Sequence, residues 1–192
     1  MKLLEEKILS HGRVLPGEIL KVDSFLNHQI DVDLITALGR EFYTLFKEDG
    51  VNKIVTVESS GISLAFAAGQ FFHVPVVFAK KGHNKNVGSD VYHCECFSYT
   101  KGTSYVMNVS KAYLNETDRV LIIDDFLANG AAAKCVINIL EQAGAKLVGV
   151  GIAIEKGFQP GGKELRDAGI KVKSLAIIDS MTDDSIRFRN DD

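Results

Sequence analysis

Apolar positions along the chain recur with two different periods, and the switches between them mark out elements. Over 3–10, Leu3, Leu4, Ile8 and Leu9 form one stripe, which predicts a short amphipathic helix. The stretch 17–31, GEILKVDSFLNHQID, reads as a short extended piece followed by a polar turn. From 32 to 47, Leu34, Ile35, Leu38, Phe42, Leu45 and Phe46 return at helical spacing, and EDG closes that helix. Strand and helix patterns then alternate. NKIVTVE (52–58), VPVVFAK (74–80), RVLIIDD (119–125), KLVGVGIAIE (146–155) and IKVKSLAIID (170–179) read as buried strands. ISLAFAAGQFF (62–72) and the stretch 130–143 read as helices. Strands rich in Val and Ile on both faces, interleaved with helices, predict an α/β fold: a parallel sheet flanked by helices.

Residues 81–118 break the alternation. SDVYHCECFSY and TSYVMNVSKAYL flank TKG, which predicts a two-stranded excursion in place of a crossover helix. A connection this long in a compact domain is usually functional or disordered, and a lid, with which disorder in the absence of ligand is compatible, is the reading of interest. No internal repeat or low-complexity segment interrupts the chain.

Composition narrows the classes. A chain of 192 residues, 46% apolar and 24% charged, suits one domain with a sizeable core. The net charge of −3, with no block of Lys or Arg, argues against a nucleic-acid partner. Cys94, Cys96 and Cys135 are three and cannot all pair, which fits a reducing, intracellular setting. HCEC at 93–96 lacks a second Cys/His pair, so strand alternation explains it better than a metal site. The N-terminus lacks the apolar run of a signal peptide, and no run is long enough to span a bilayer. We therefore expect a cytoplasmic protein with no membrane partner.

Ligands of open α/β sheets bind beyond the carboxyl ends of the strands. Two turns fall at that edge: ESSG, Glu58 to Gly61, after the 52–58 strand, and the DDFLANGAAA stretch after the 119–125 strand. In each, small residues let backbone N–H groups face outward, and the helix that follows adds partial positive charge, the makings of a phosphate nest. There is no G-x-x-x-x-G-K-[ST], and GVGIAI lies inside a strand, so P-loop and dinucleotide readings fail. Carboxylates repel phosphate, so Asp124 and Asp125 beside such a turn imply a ligand that also carries hydroxyls. A vicinal diol would donate to them in charge-assisted bonds, and the complementary ligand is a ribose 5-phosphate. The alternative reading of the acid pair is a metal-binding or merely solvated one.

VLIIDDFLANGAAA resembles the signature of the type I phosphoribosyltransferases, which move ribose 5-phosphate from phosphoribosyl pyrophosphate (PRPP) onto a nitrogenous base. VESSGIS is similar to that family's pyrophosphate loop and PVVFAKKG to the strand leading into its lid, so the resemblance runs from about 51 to 179. LPGEILKVDSFLNHQID and AIEKGFQPGG resemble the bacterial purine-salvage branch that uses xanthine. The resemblance implies a single domain over 1–192, with a small hood from about 1–31 and 156–192 and a lid over about 81–118. It assigns Asp124 and Asp125 to catalysis at the sugar. PRPP binding falls to Ala128, Asn129, Gly130, Ala131 and Ala132, to Glu58, Ser59, Ser60 and Gly61, and to Lys81 with Lys80 as its alternative. Ser98, Tyr99 and Lys101 would be lid contacts.

For the base, the resemblance assigns Leu20, Asn27, Lys156 and Phe158. Lys156 would donate to a 6-oxo group, Asn27 would read a 2-oxo group, and Phe158 would stack on the ring or belong to the core. Mg²⁺ bound with PRPP or pyrophosphate is the implied cofactor, with no protein metal site, and a homodimer is the implied assembly. One departure stands out. The family's loop often carries threonines where Asn129, Ala131 and Ala132 stand here, which shifts phosphate binding toward main-chain N–H groups with Asn129 as one replacement donor. Xanthine is the expected acceptor. Hypoxanthine, guanine or adenine, and a PRPP-sensing regulator, are the alternatives.

Overall fold

The computed structural model describes residues 1–82, 90–98, 103–182 and 185–189. The chain opens with α1 (Lys2–His11) and a small hairpin of β1 (Arg13–Leu15) and β2 (Ile19–Lys21), and a π-helical turn at Asp23–Asn27 follows. The 17–31 stretch is thus less polar than its composition suggested, because Phe25 and Leu26 of that turn are fully buried. In α1 only Leu4 and Ile8 of the expected stripe are buried, while Leu3 and Leu9 remain exposed.

Helix α2 (Val32–Phe46) starts where Asp31 accepts a hydrogen bond from the Leu34 N–H at 3.1 Å. It packs on α3 (Gly61–Phe72) through Gly39, where a Cβ would come within 2.8 Å of Ala67 Cβ and of the Ala68 nitrogen. Small residues on both helices therefore let the backbones approach closely. Between them lies β3 (Lys53–Val57), and β4 (Val76–Gly82) follows α3. The chain continues with β5 (Val91–Ser98), β6 (Thr103–Ser110), β7 (Arg119–Leu127), α4 (Ala131–Gln142), β8 (Lys146–Lys156), α5 (Gly161–Asp167), β9 (Val172–Thr182) and β10 (Ser185–Phe188).

The main sheet has the order β10-β9-β8-β7-β3-β4-β6-β5. Its central run β9-β8-β7-β3-β4 is parallel, as the alternation of strands and helices predicts, while β10 and the β5–β6 hairpin add antiparallel edges. Strand β7 shows why Val and Ile dominate. Leu121 and Ile123 face the core under α1, α2 and α3, and Val120 and Ile122 face the core under α4 and α5.

The excursion at 81–118 is two-stranded, as expected, but it is tied into the sheet. Lys80, Lys81 and Gly82 pair with Asn108, Met107 and Val106, and Cys96, Met107 and Val109 are buried in the second core. Residues 83–89 and 99–102 of the expected lid, with Tyr99 and Lys101 among them, lie outside the described residues. Of the segments expected to form a hood, 172–182 and 185–188 are strands of the main sheet.

Candidate active site

Strand β7 carries the acid pair to the carboxyl edge of the sheet. Asp124 and Asp125 are 9% and 7% exposed, and Asp124 Oδ1 accepts the Asp125 N–H at 3.0 Å. Burial, and then the neighbouring Asp125 charge, push the Asp124 carboxyl well above its ordinary range. Two like charges at a buried strand end favour a partner that donates hydrogen bonds or carries positive charge. Asn27 supplies one donor: its Nδ2 lies 3.3 Å from Asp125 Oδ2, which brings the N-terminal segment onto the acids from 98 residues away.

The 58–61 turn approaches the same acids. At Gly61 a Cβ would overlap Thr56 Oγ1 and lie 2.9 Å from Asp124 Oδ1, so only glycine lets the start of α3 close on β7. Thr56 Oγ1 is buried without a hydrogen-bond partner. Glu58 turns its carboxylate back, accepting the Lys81 N–H at 2.5 Å, and its own N–H donates to the Ala79 carbonyl at 3.1 Å. The Glu58–Ser59 peptide is cis, and Ser60 precedes α3 without a side-chain cap. The two candidate lysines point apart. Lys81 lies 5.6 Å from the Tyr105 ring and its charge reaches Asp124, whereas Lys80 lies over Phe78 on the opposite face.

The second turn follows β7 at once. Gly130 has φ +81°, a left-handed conformation that favours glycine, and α4 starts at Ala131 with no side-chain cap at Gly130. Asn129 departs from the expected role as a donor in one respect. Its Oδ1 accepts the Ala131 N–H at 3.0 Å, so only its amide NH₂ remains to face an anion. Ala128 and Ala132 have only main-chain groups to offer an anion.

Of the residues expected to meet the base, Lys156 donates from Nζ to the Glu18 carbonyl at 2.7 Å, fastening the end of β8 to the N-terminal hairpin. Burial draws the Lys156 ammonium below its ordinary range. Leu20 is buried, and Phe158 is partly buried against the first core, so it keeps one free surface. Sequence reasoning missed Thr56, which lies against Gly61 next to Asp124, Tyr105, whose ring lies under Lys81, and Glu155, which sits one residue before Lys156. Their signal was weak, since each reads locally as an ordinary strand residue. Among the described residues no group of three or more His, Cys, Asp or Glu could cage a metal ion. A pair of carboxylates does fit a Mg²⁺ that brings phosphate oxygens and water as its other ligands.

No family model matches the chain. Curated relatives do. The chain is 56% identical over 188 residues to the xanthine phosphoribosyltransferase of Ruminiclostridium cellulolyticum, covering 98% of this chain and 99% of that one. It is 53% identical to the xanthine phosphoribosyltransferase of Alkaliphilus metalliredigens, covering 100% and 95%. Solved structures share the fold: adenine phosphoribosyltransferase from Rhodothermus marinus superposes with TM-score 0.75 at 22% identity, covering 93% of this chain and 100% of that one. The Giardia lamblia enzyme in complex with 9-deazaadenine superposes with TM-score 0.74 at 19% identity, covering 91% and 96%. With more than half of its residues shared over nearly the full length of both chains, this protein belongs to the xanthine phosphoribosyltransferase family.

Proposed function

We propose that the chain transfers ribose 5-phosphate from PRPP to xanthine, releasing pyrophosphate and forming xanthosine 5′-monophosphate in purine salvage. The observation that carries this reading is the buried Asp124–Asp125 pair, set between the turn at Gly61 and the turn at Gly130. Asp124 and Asp125 accept from the ribose hydroxyls and lend negative potential as C1 becomes cation-like and pyrophosphate departs. Main-chain N–H groups of 128–132 and the start of α4 hold the 5-phosphate, with the Ala131 N–H exchanging its bond to Asn129 Oδ1 for a phosphate oxygen. Glu58 to Gly61, with the Lys81 ammonium, face the leaving pyrophosphate. Mg²⁺, when bound with PRPP, supplies charge neutralisation at the diphosphate.

Lys156 donates to the purine 6-oxo group, which selects against a 6-amino group that also donates. Asn27 reads the 2-position, and Leu20 and Phe158 wall the ring. PRPP is activated, so water must be kept out; this falls to a lid within 81–118, framed by β5 and β6. A single domain is the unit, with 1–31 and the 156–160 loop as the hood over the base. The same reading makes the protein a cytoplasmic homodimer. An uncovered apolar cavity of about 510 Å³ beside β4 and β6, lined in part by Phe78, Val109 and Tyr113, supports the pairing. Incubation with PRPP, Mg²⁺ and each purine separately tests the function. Nucleotide formation is expected with xanthine foremost; equal or better turnover of adenine would contradict the assignment of Lys156.

A further inference from the structure

A half-buried ion pair lies at the end of β8, next to Lys156. Glu155, 2% exposed at the end of β8, accepts from Arg166 of α5 through both carboxylate oxygens, each at 2.7 Å, and Ser174 Oγ donates to it as well. Burial alone would raise this carboxyl; the hydrogen bonds from Arg166 and Ser174 outweigh that and hold it below its ordinary range. A two-pronged guanidinium–carboxylate bond fixes orientation as well as distance.

Two adjacent glycines connect this pair to the 128–130 turn. A Cβ on Gly162 would overlap Glu155 Oε1 and sit 2.8 Å from Arg166 Nη1, so the first turn of α5 rests on the ion pair. A Cβ on Gly161 would lie 2.5 Å from both the Ala128 carbonyl oxygen and the Gly130 nitrogen, so the same turn rests on the phosphate turn. The Gly161 N–H also donates to the Ala128 carbonyl at 3.0 Å, and Lys134 of α4 pairs with Glu164 of α5. The 156–160 loop, which carries Lys156 and Phe158, is therefore held at one end by Glu155 and at the other by Gly161.

We infer that Glu155, Arg166, Gly161 and Gly162 form a brace that makes the purine loop and the 5-phosphate turn one rigid unit, so that Arg166 positions both subsites without contacting either substrate. This rests on the function proposed above. In such a unit, loosening the guanidinium end displaces the N–H groups of 128–132 together with Lys156.

Calorimetric titration of PRPP with Mg²⁺, in the absence of base, tests the brace on the full chain, alongside steady-state kinetics with xanthine. Arg166→Ala is expected to weaken PRPP binding and raise the KM for xanthine by about tenfold each, because misplacement by about 1 Å can cost on the order of a hundredfold. Arg166 is 34% exposed at its side chain, so added guanidinium can enter the gap and should restore both affinities together. Arg166→Lys, which keeps the charge and loses the fork, is expected to fall between and guards against misfolding of the alanine variant. A folded variant with PRPP affinity within twofold of the parent overturns the brace, as does loss confined to xanthine. Loss of stability that guanidinium reverses without moving either affinity also overturns it. Should the parent bind PRPP yet transfer it to no purine, the functional reading fails while the brace is still tested by the PRPP titration.

Discussion

Gly61→Ala perturbs the site at the point where two elements meet most tightly. The φ of Gly61 is not left-handed, so the added methyl carries no backbone penalty and its effect is steric. It would overlap Thr56 Oγ1 and lie 2.9 Å from Asp124 Oδ1 and 3.4 Å from the Ile123 carbonyl oxygen. Overpacking a filled interior costs about 1–3 kcal/mol, and the tightness of the Thr56 contact places this case in that range. Thr56→Ala removes the first clash, and because Thr56 Oγ1 has no hydrogen-bond partner its loss should be nearly neutral. The double variant should therefore recover most of the lost stability, giving a coupling of about 1–2 kcal/mol by urea denaturation. Activity should not recover with it, since the methyl still presses on Asp124; we expect turnover at least about tenfold below the parent in both variants. Wild-type stability in Gly61→Ala would refute the packing argument. Full activity in the double variant would refute the claim that α3 sets the position of Asp124.

The raised carboxyl of Asp124 makes the ligand-free protein pH-sensitive with a definite sign. The native state holds this proton more tightly than the unfolded chain, so the contribution of Asp124 to stability is fully present below its unfolded value and is lost as pH rises through the raised native value. Asp124→Asn should flatten that fall and melt above the parent at neutral pH; parallel stability curves would contradict it. Lys156→Ala should raise the KM for xanthine far more than the KM for PRPP, and equal losses would remove Lys156 from base reading. Phe78→Asp, in the uncovered apolar face, should convert a dimer to monomer in sedimentation, whereas an unchanged sedimentation coefficient would place the interface elsewhere.

The central strands were legible because β7 and β8 bury both faces, which leaves apolar and small residues on successive positions, VLII in β7 and LVGVGIAI in β8. The turns at Gly61 and Gly130 were legible for the same reason: each small residue interrupts such a run at the sheet edge. Other elements left little trace. β1 and β2 have three residues each, too few for a period to register, and α5 buries one large side chain, Leu165. In α1, Leu3 and Leu9 fit the stripe but stay exposed, because the face that packs on the sheet is narrow. Contacts across long sequence separations were invisible locally. Nothing near Asn27 announces Asp125, and its assignment came from resemblance alone. Likewise nothing in GGKELR announces that Arg166 reaches Glu155.

The most direct test is a crystal structure with PRPP and Mg²⁺ bound. The ribose hydroxyls are expected within hydrogen-bond distance of Asp124 and Asp125, and the 5-phosphate against the N–H groups of 128–132. A pentose bound away from β7, or a 5-phosphate seated at Glu58–Gly61 instead, would contradict it.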